Sequence, residues 1–129
     1  MAQVTLTNQA DFAGSYGAAA SPVVFSSNSV STTIIQGLTA TKTADKAYWV
    51  NGPLLYTIKI ENNSGDTFTK GVLTDVFDTA LVTLDTVYGV EINAAKTSDY
   101  TFTAGNLSIN LPDLENGGTA TVTFQVTQV

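Results

Sequence analysis

The stretch YTIKIENNSGDTFTKGVLTD, residues 56–75, decides the fold, because it has the pattern of two β-strands joined by a turn. Tyr56, Ile58 and Ile60 alternate with polar residues, which is the period-two pattern of a half-buried strand. The letters NNSGD that follow are turn residues. A second strand is predicted at Gly71–Phe77, with both of its faces covered.

Working outward from this stretch, the same period-two alternation predicts strands through most of the chain. Residues 14–22, which are small and end in proline, are predicted to be a flexible loop. No segment keeps a helical period over three turns. Eight or nine strands in all predict an all-β, antiparallel sandwich. The further strands are predicted at residues 3–13, 23–35, 38–46, 54–62, 81–93, 100–103, 107–111 and 119–129.

Composition excludes several functions. The chain of 129 residues carries a net charge of −6, with five lysines and neither arginine nor histidine, so we expect no nucleic-acid partner. Without histidine or cysteine it lacks the commonest general base, metal ligand and nucleophile. We therefore predict that it is not an enzyme and needs neither a cofactor nor a metal.

Location is predicted from the same composition. No run approaches the roughly 20 apolar residues of a membrane-spanning helix, and the first residues do not form a signal peptide. A cysteine-free chain rich in threonine, serine and asparagine is nevertheless typical of an extracellular protein. Either a signal has been removed or export follows another route, and the sequence leaves both open.

The segment from residue 39 to residue 129 resembles the bacterial and archaeal surface-protein repeat known as domain of unknown function 11. The matching pieces occur in the family's order: Thr41–Asp45, Gly52–Gly65, Gly71–Phe77 and Gly118–Val126. At residues 77–79 the chain has Phe-Asp-Thr where the family often has Leu-Pro. The resemblance implies an immunoglobulin-like sandwich that builds cell-surface proteins, fibres and spore appendages, with no enzymatic activity.

The first 36 residues resemble a segment that usually follows the closing strand in tandem arrays of this repeat. The chain is therefore phased as a permuted unit, with an N-terminal strand pair at residues 1–36 and the sandwich at residues 37–129. The strand pair is expected either to pack on its own domain or to add to a neighbouring copy. The residues predicted to form this interface are Val4, Leu6, Asn8, Ala10, Phe12, Val24, Val30 and Ile34.

Addition to a neighbouring copy would give a head-to-tail contact that does not close, and hence a filament. The favoured hypothesis is thus a structural subunit whose partner is itself, forming an extracellular fibre on a cell or spore surface. The alternative is a monomeric adhesion or spacer module of a larger surface protein.

Lys42 falls on the apolar parity of its strand, as do Asp75 and the asparagines Asn8 and Asn28. Burial favours the neutral, nucleophilic form of a lysine. In Gram-positive surface domains of this general architecture, a buried lysine attacks an asparagine amide with the help of a carboxylic acid. Lys42 with Asn8 or Asn28, and Asp75 as the acid, would suit such an isopeptide crosslink; the simpler alternative is an ion pair between Lys42 and Asp75.

Two further clusters have ordinary explanations. Asn62 and Asp66 offer oxygen ligands, but the spacing of a calcium loop is missing, so a solvated turn is favoured. Tyr48 and Trp49 precede a turn, where aromatic residues more often cap the end of a sandwich core than stack on a carbohydrate.

Overall fold

The computed structural model describes residues 3–129, and for residues 3, 34 and 35 it describes the backbone alone. The described part of the chain contains strands and turns and no helix, which confirms the all-β prediction. In chain order the strands are β1 (Gln3–Asn8), β2 (Asp11–Tyr16), β3 (Ser21–Ser26), β4 (Val30–Ile35), β5 (Leu38–Ala44), β6 (Leu54–Asn62), β7 (Val72–Val76), β8 (Val82–Leu84), β9 (Val90–Ile92), β10 (Ala95–Thr97), β11 (Tyr100–Thr103), β12 (Asn106–Asn110) and β13 (Thr119–Gln128).

The chain divides into two compact units, one reaching to Gln36 and the other spanning Gly37–Val129. The C-terminal unit contains a six-stranded sheet in the order β10-β9-β13-β6-β5, with β8 also paired to β13. A three-stranded sheet in the order β11-β12-β7 packs against it. All strand pairs are antiparallel, so the antiparallel β-sandwich is confirmed.

The core of the sandwich comes from the inward faces of β6 and β13, the two strands with the most regular alternation. Ile58 lies opposite Val122, and Tyr56 lies opposite Phe124. From the other sheet, the ring of Phe77 packs 5.7 Å from that of Phe124. Val122 and Phe124 are completely buried, and full burial of such a side chain stabilises the fold by about 1.5–3 kcal/mol.

The prediction of one long strand over residues 81–93, bent at Gly89, is wrong, because the chain makes a full turn before Gly89. The structure has two short strands, β8 and β9, separated by a turn, and both pair with β13. The Asp85 carboxylate accepts hydrogen bonds from the backbone N–H groups of Val87 at 3.0 Å and Tyr88 at 3.2 Å. Gly89 closes the turn with a φ of +71°. An aspartate that bonds the backbone two residues onward favours a turn over a continuous strand.

Two smaller expectations about the sandwich are also corrected. Strand β10 was not predicted; it pairs with β9 across a tight turn in which Asn93 and Ala94 both have positive φ. Strand β7 is covered on one face only, because the side chains of Val72 and Val76 on its outer face are exposed.

The N-terminal unit is a two-stranded ribbon in which β1 pairs with β4, and β2 with β3. The predicted loop at residues 14–22 is shorter than expected, since β2 continues to Tyr16 and β3 begins at Ser21. Only the four residues 17–20 form the turn. Gly17 and Ala20 have positive φ there, and the Ala20 N–H donates to the Gly17 carbonyl at 3.0 Å.

A bulge interrupts the ribbon. Asn8 pairs with Val30, but the next pair is Asp11 with Ser26, so two residues on one strand oppose three on the other. The Ser27 hydroxyl accepts from the Ala10 N–H at 2.9 Å, and the Ser27 N–H donates to the Ala10 carbonyl at 2.7 Å. Such an extra residue shifts the alternation of one strand relative to its partner.

Regular alternation over residues 23–35 predicts that Val24 and Val30 lie on one face, and because of this bulge that prediction is wrong. Phe12 lies opposite Phe25, and their rings stack with centroids 5.2 Å apart. Val24 lies opposite Ala13 and therefore on the other face of the ribbon from Phe12.

Candidate functional site

The β1–β4 part of the ribbon is amphipathic. Val4, Leu6 and Asn8 of β1 share one face with Val30 and Thr32 of β4, and the hydroxyl residues Thr5, Thr7, Ser31 and Thr33 lie on the opposite face. Val4, Leu6 and Val30 are 44%, 53% and 58% exposed. A two-stranded ribbon is at best marginally stable in water by itself, so an apolar face of this kind favours contact with another layer.

The β2–β3 part of the ribbon continues this exposure. The stacked rings of Phe12 and Phe25 are more than half exposed, and Val24 is exposed on the other face. Ala10, beside the bulge, is exposed as well. Of the predicted interface residues, Ile34 has a side chain outside the described residues.

One side of the sandwich is formed by the edge strands β5 and β7. Among the described residues, β5 pairs only with β6, and β7 only with β12. The Phe77 N–H donates to the Gly105 carbonyl, and the Leu111 N–H to the Gly71 carbonyl, each at 2.8 Å. Since an antiparallel ladder alternates, Leu73 also bonds to β12, whereas the backbone groups at residues 72, 74 and 76 point away from the sheet.

The inner face of β5 is uncovered. Ala40 lies opposite Ile60, and Lys42 opposite Ile58, so these β5 side chains point to the same side as the buried core of β6. Ile58 and Ile60 are buried, but the inward residues of β5 are exposed apart from half-buried Leu38. The three-stranded sheet thus covers β6 and stops short of β5.

A cavity of about 210 Å³ lies where this cover is missing. Its lining is almost wholly apolar and comes from both sheets: Leu38, Ala40, Ile60, Phe68, Leu73 and Leu111. We call the space between the inner face of β5 and the edge of β7 the acceptor groove, and this cavity is its apolar end.

The other end of the acceptor groove holds the ion pair of Lys42 and Asp75, whose Nζ and Oδ2 atoms are 2.5 Å apart. The Lys42 ammonium also lies 4.2 Å from the centre of the Tyr56 ring, a cation–π contact. Their side chains are 42% and 14% exposed. A second cavity of about 210 Å³ adjoins the pair. The simpler sequence interpretation, an ion pair between these two residues, is the one the structure contains.

The predicted crosslink needs an asparagine amide beside that pair. Asn8 and Asn28 both belong to the N-terminal unit, whereas Lys42 and Asp75 belong to the sandwich. None of the residues lining the cavity at the ion pair is an asparagine. The crosslink therefore stays a prediction, with only its lysine and its acid brought together.

Asn62 is a structural residue that the sequence interpretation of a solvated turn missed. It is completely buried, and its amide N–H groups donate to the carbonyls of Asp66 at 2.8 Å and Leu114 at 2.7 Å. Its amide oxygen accepts from the Ser64 N–H at 3.0 Å and from the Ser64 hydroxyl at 2.5 Å. All the polar groups of the Asn62 side chain are satisfied within the protein. Asn62 alternates with the inward apolar residues of β6 because it is itself buried, and its hydrogen bonds hold two loops together.

Trp49 and Tyr48 differ in their surroundings. Trp49 packs against the core, and its indole N–H donates to the Gly52 carbonyl at 2.8 Å, as expected of an aromatic cap. Tyr48 is 92% exposed.

Within residues 3–129 the structure has no helix of the length and apolarity that crossing a membrane requires. Comparisons of the chain with protein-family models, with curated proteins and with solved structures find no significant match.

Proposed function

We propose that this protein is a non-enzymatic structural subunit that assembles head-to-tail by strand addition into an extracellular fibre on a cell or spore surface. One observation carries the proposal: the same chain has an amphipathic ribbon with an exposed apolar face and a sandwich whose edge strand β5 has an uncovered inner face. Both surfaces are more stable when another layer of protein covers them. The ribbon of one copy can supply a strand to cover the sandwich of the next copy, and that sandwich in turn covers the apolar face of the ribbon.

The energetic argument is the exposed apolar area. Val4, Leu6 and Val30 are each about half exposed, so covering them contributes roughly 1 kcal/mol apiece. Covering the inward side of β5 and pairing free backbone groups adds to this. Edge strands with unpaired N–H and C=O groups readily accept another strand.

The geometry of assembly follows from the two surfaces being different. A contact between unlike surfaces on identical copies is heterologous, and it generates an open filament when the rotation between copies does not close. The cysteine-free composition rich in threonine and serine supports an extracellular location.

A pair of matched substitutions on one strand tests this function. Leu6→Asp places a charge on the apolar face of β1, whereas Thr5→Asp places the same charge on the hydroxyl face one residue away. We expect negative-stain electron microscopy and sedimentation to show filaments for the unmodified chain and Thr5→Asp, and at least a tenfold loss of filaments for Leu6→Asp.

The reasoning would be overturned if Leu6→Asp assembled as well as Thr5→Asp. A single monomeric species of the unmodified chain at high concentration, with no filaments, would favour the monomeric adhesion or spacer module instead.

A further inference from the structure

We infer that the free edge of β7 is the acceptor, and that strand β1 of a second copy pairs with it as a fourth strand of the smaller sheet. This inference rests on the proposed function and goes beyond it by naming the two edges that meet. Three observations support the inference: the unpaired backbone N–H and C=O groups on the edge strands, the uncovered inner face of β5, and the inward side chains of β1.

Both edge strands have backbone groups to offer. On β7 the groups at Val72, Thr74 and Val76 point away from β12. On β5, the hydrogen bonds from the Asn63 N–H to the Gly37 carbonyl at 2.7 Å and from the Asp45 N–H to the Leu55 carbonyl at 3.0 Å fix the alternation. The even-numbered residues of β5 therefore point their backbone groups outward. Hydrogen bonding alone does not choose between the edges.

Covering the apolar surface does choose between them. A strand paired with β5 would lie about 4.8 Å further out in the same sheet and would leave the inner face of β5 uncovered. A strand paired with β7 would lie in the opposite layer, about 10 Å away across the sandwich, and would cover that face. Only addition to β7 fills the apolar cavity lined by Leu38, Ala40 and Leu73.

The donor face matches the acceptor groove in chemical character. Along β1 the inward residues are Val4, Leu6 and then Asn8, two apolar side chains followed by an amide. The groove likewise has an apolar end and an end that holds Lys42 and Asp75. An asparagine amide can donate to a carboxylate and accept from an ammonium group at once, so it suits the ion pair, and neither charge is left without a partner when water is displaced.

The occupant is a second copy because the chain itself supplies a strand with this pattern and presents it exposed. This match requires that the two strands run parallel, because Leu6 then lies beside Leu73 at the apolar end when Asn8 lies beside Asp75. The outward side chain of Thr74 then lies next to Thr7.

Disulfide trapping between copies tests it cleanly, since the chain contains no cysteine. Chains carrying Thr7→Cys are mixed with chains carrying Thr74→Cys, assembled, oxidised, and mapped by mass spectrometry of the linked peptides. Thr41→Cys is the matched control acceptor, because Thr41 is an exposed threonine on the outer face of the other edge strand. A disulfide requires Cα atoms about 4.4–6.8 Å apart, so it reports direct strand pairing.

We expect Thr74→Cys to trap a donor chain in at least fivefold higher yield than Thr41→Cys. Filaments whose links form preferentially at Thr41→Cys would overturn the β7 assignment and leave the proposed function standing. A Ser31→Cys donor linking to Thr74→Cys in place of Thr7→Cys would overturn the assignment of β1. Chains that stay monomeric, with no links above the level in denaturant, would overturn both proposals.

Discussion

Replacing Asn62 by leucine tests whether one buried amide holds two loops of the sandwich together. The side chain is completely buried and makes four hydrogen bonds, two of them to Ser64 and one each to the carbonyls of Asp66 and Leu114. Leucine has the same branching and the same number of side-chain heavy atoms as asparagine and no polar atoms, so the substitution removes these bonds, while its bulkier methyl groups add crowding rather than a cavity.

The cost can be worked out group by group. The Leu114 carbonyl keeps a hydrogen bond from the Phe68 N–H at 2.8 Å, and the Asp66 carbonyl keeps one from the Ser64 hydroxyl at 3.2 Å. Each of these carbonyls therefore loses one bond of about 1 kcal/mol, while the buried Ser64 N–H loses its acceptor at about 1–3 kcal/mol. After a gain of roughly 1 kcal/mol from the apolar side chain, the free energy of unfolding falls by about 2–4 kcal/mol.

Thermal unfolding followed by circular dichroism measures this loss. For a domain of this size, 2–4 kcal/mol corresponds to a fall of roughly 10–25 °C in the melting temperature. Asn63→Ala is the matched control, since Asn63 is the exposed neighbour and surface substitutions typically change stability by less than about 0.5 kcal/mol. If both variants melted within a few degrees of the unmodified protein, the clamp would not be holding the loops.

Two further predictions concern single positions in the sandwich. Gly37→Ala should lower the free energy of unfolding, measured in urea, by more than about 2 kcal/mol, because a Cβ there would lie 2.4 Å from the Asn63 carbonyl oxygen at a φ of +85°. Gly117 has a similar φ of +82° but open space where its Cβ would lie, so Gly117→Ala should lower the free energy of unfolding clearly less. Equal losses in the two variants would contradict the steric explanation. The Leu55 N–H donates to the Asp45 carboxylate at 2.9 Å and lowers the pKa of Asp45 below its ordinary value of 3.8. The ionised Asp45 therefore stabilises the folded state. This contribution is complete above pH 3.8 and is lost as the pH falls through the lower pKa of Asp45 in the folded protein. Urea titrations from about pH 5 to pH 2 should therefore show a smaller loss of stability for Asp45→Asn than for the unmodified protein, and parallel curves would count against this contribution.

The strands with unbroken alternation were predictable from the sequence. The bounds of β6, Leu54–Asn62, are those predicted, and β13 begins at the predicted Thr119. Both strands have one buried and one more exposed face, so burial imposes the period-two pattern directly on the residues. The inward position of Lys42 was predictable for the same reason.

The bulge at Ser27 and the turn at Asp85 were not predictable from alternation. Each depends on a side chain that bonds the backbone, which period-two counting does not detect. The turn also depends on tertiary context, since β8 and β9 are strands because β13 lies beside both. Propensity alone favoured a single strand through these β-branched residues.

The acceptor groove could be predicted least of all. The amino-acid sequence of β5 does not indicate whether the opposing sheet has three strands or four. Its inward side chains are small and apolar apart from Lys42, as they would be in a fully covered strand. Exposure of such a face depends on the number of strands in the layer across from it, which is a property of the whole sandwich.

The central place of β13 has a consequence for the order in which the protein is made. This strand pairs with β6 along one edge and with β8 and β9 along the other, and it is the last strand of the described chain to leave the ribosome. Its pairing with β6 joins residues some sixty positions apart, such as Thr57 and Thr123, and contacts this distant in sequence slow folding. Until β13 docks, the two sheets cannot close over a common core. The groove therefore cannot be complete in a nascent copy until β13 has been synthesised and has docked.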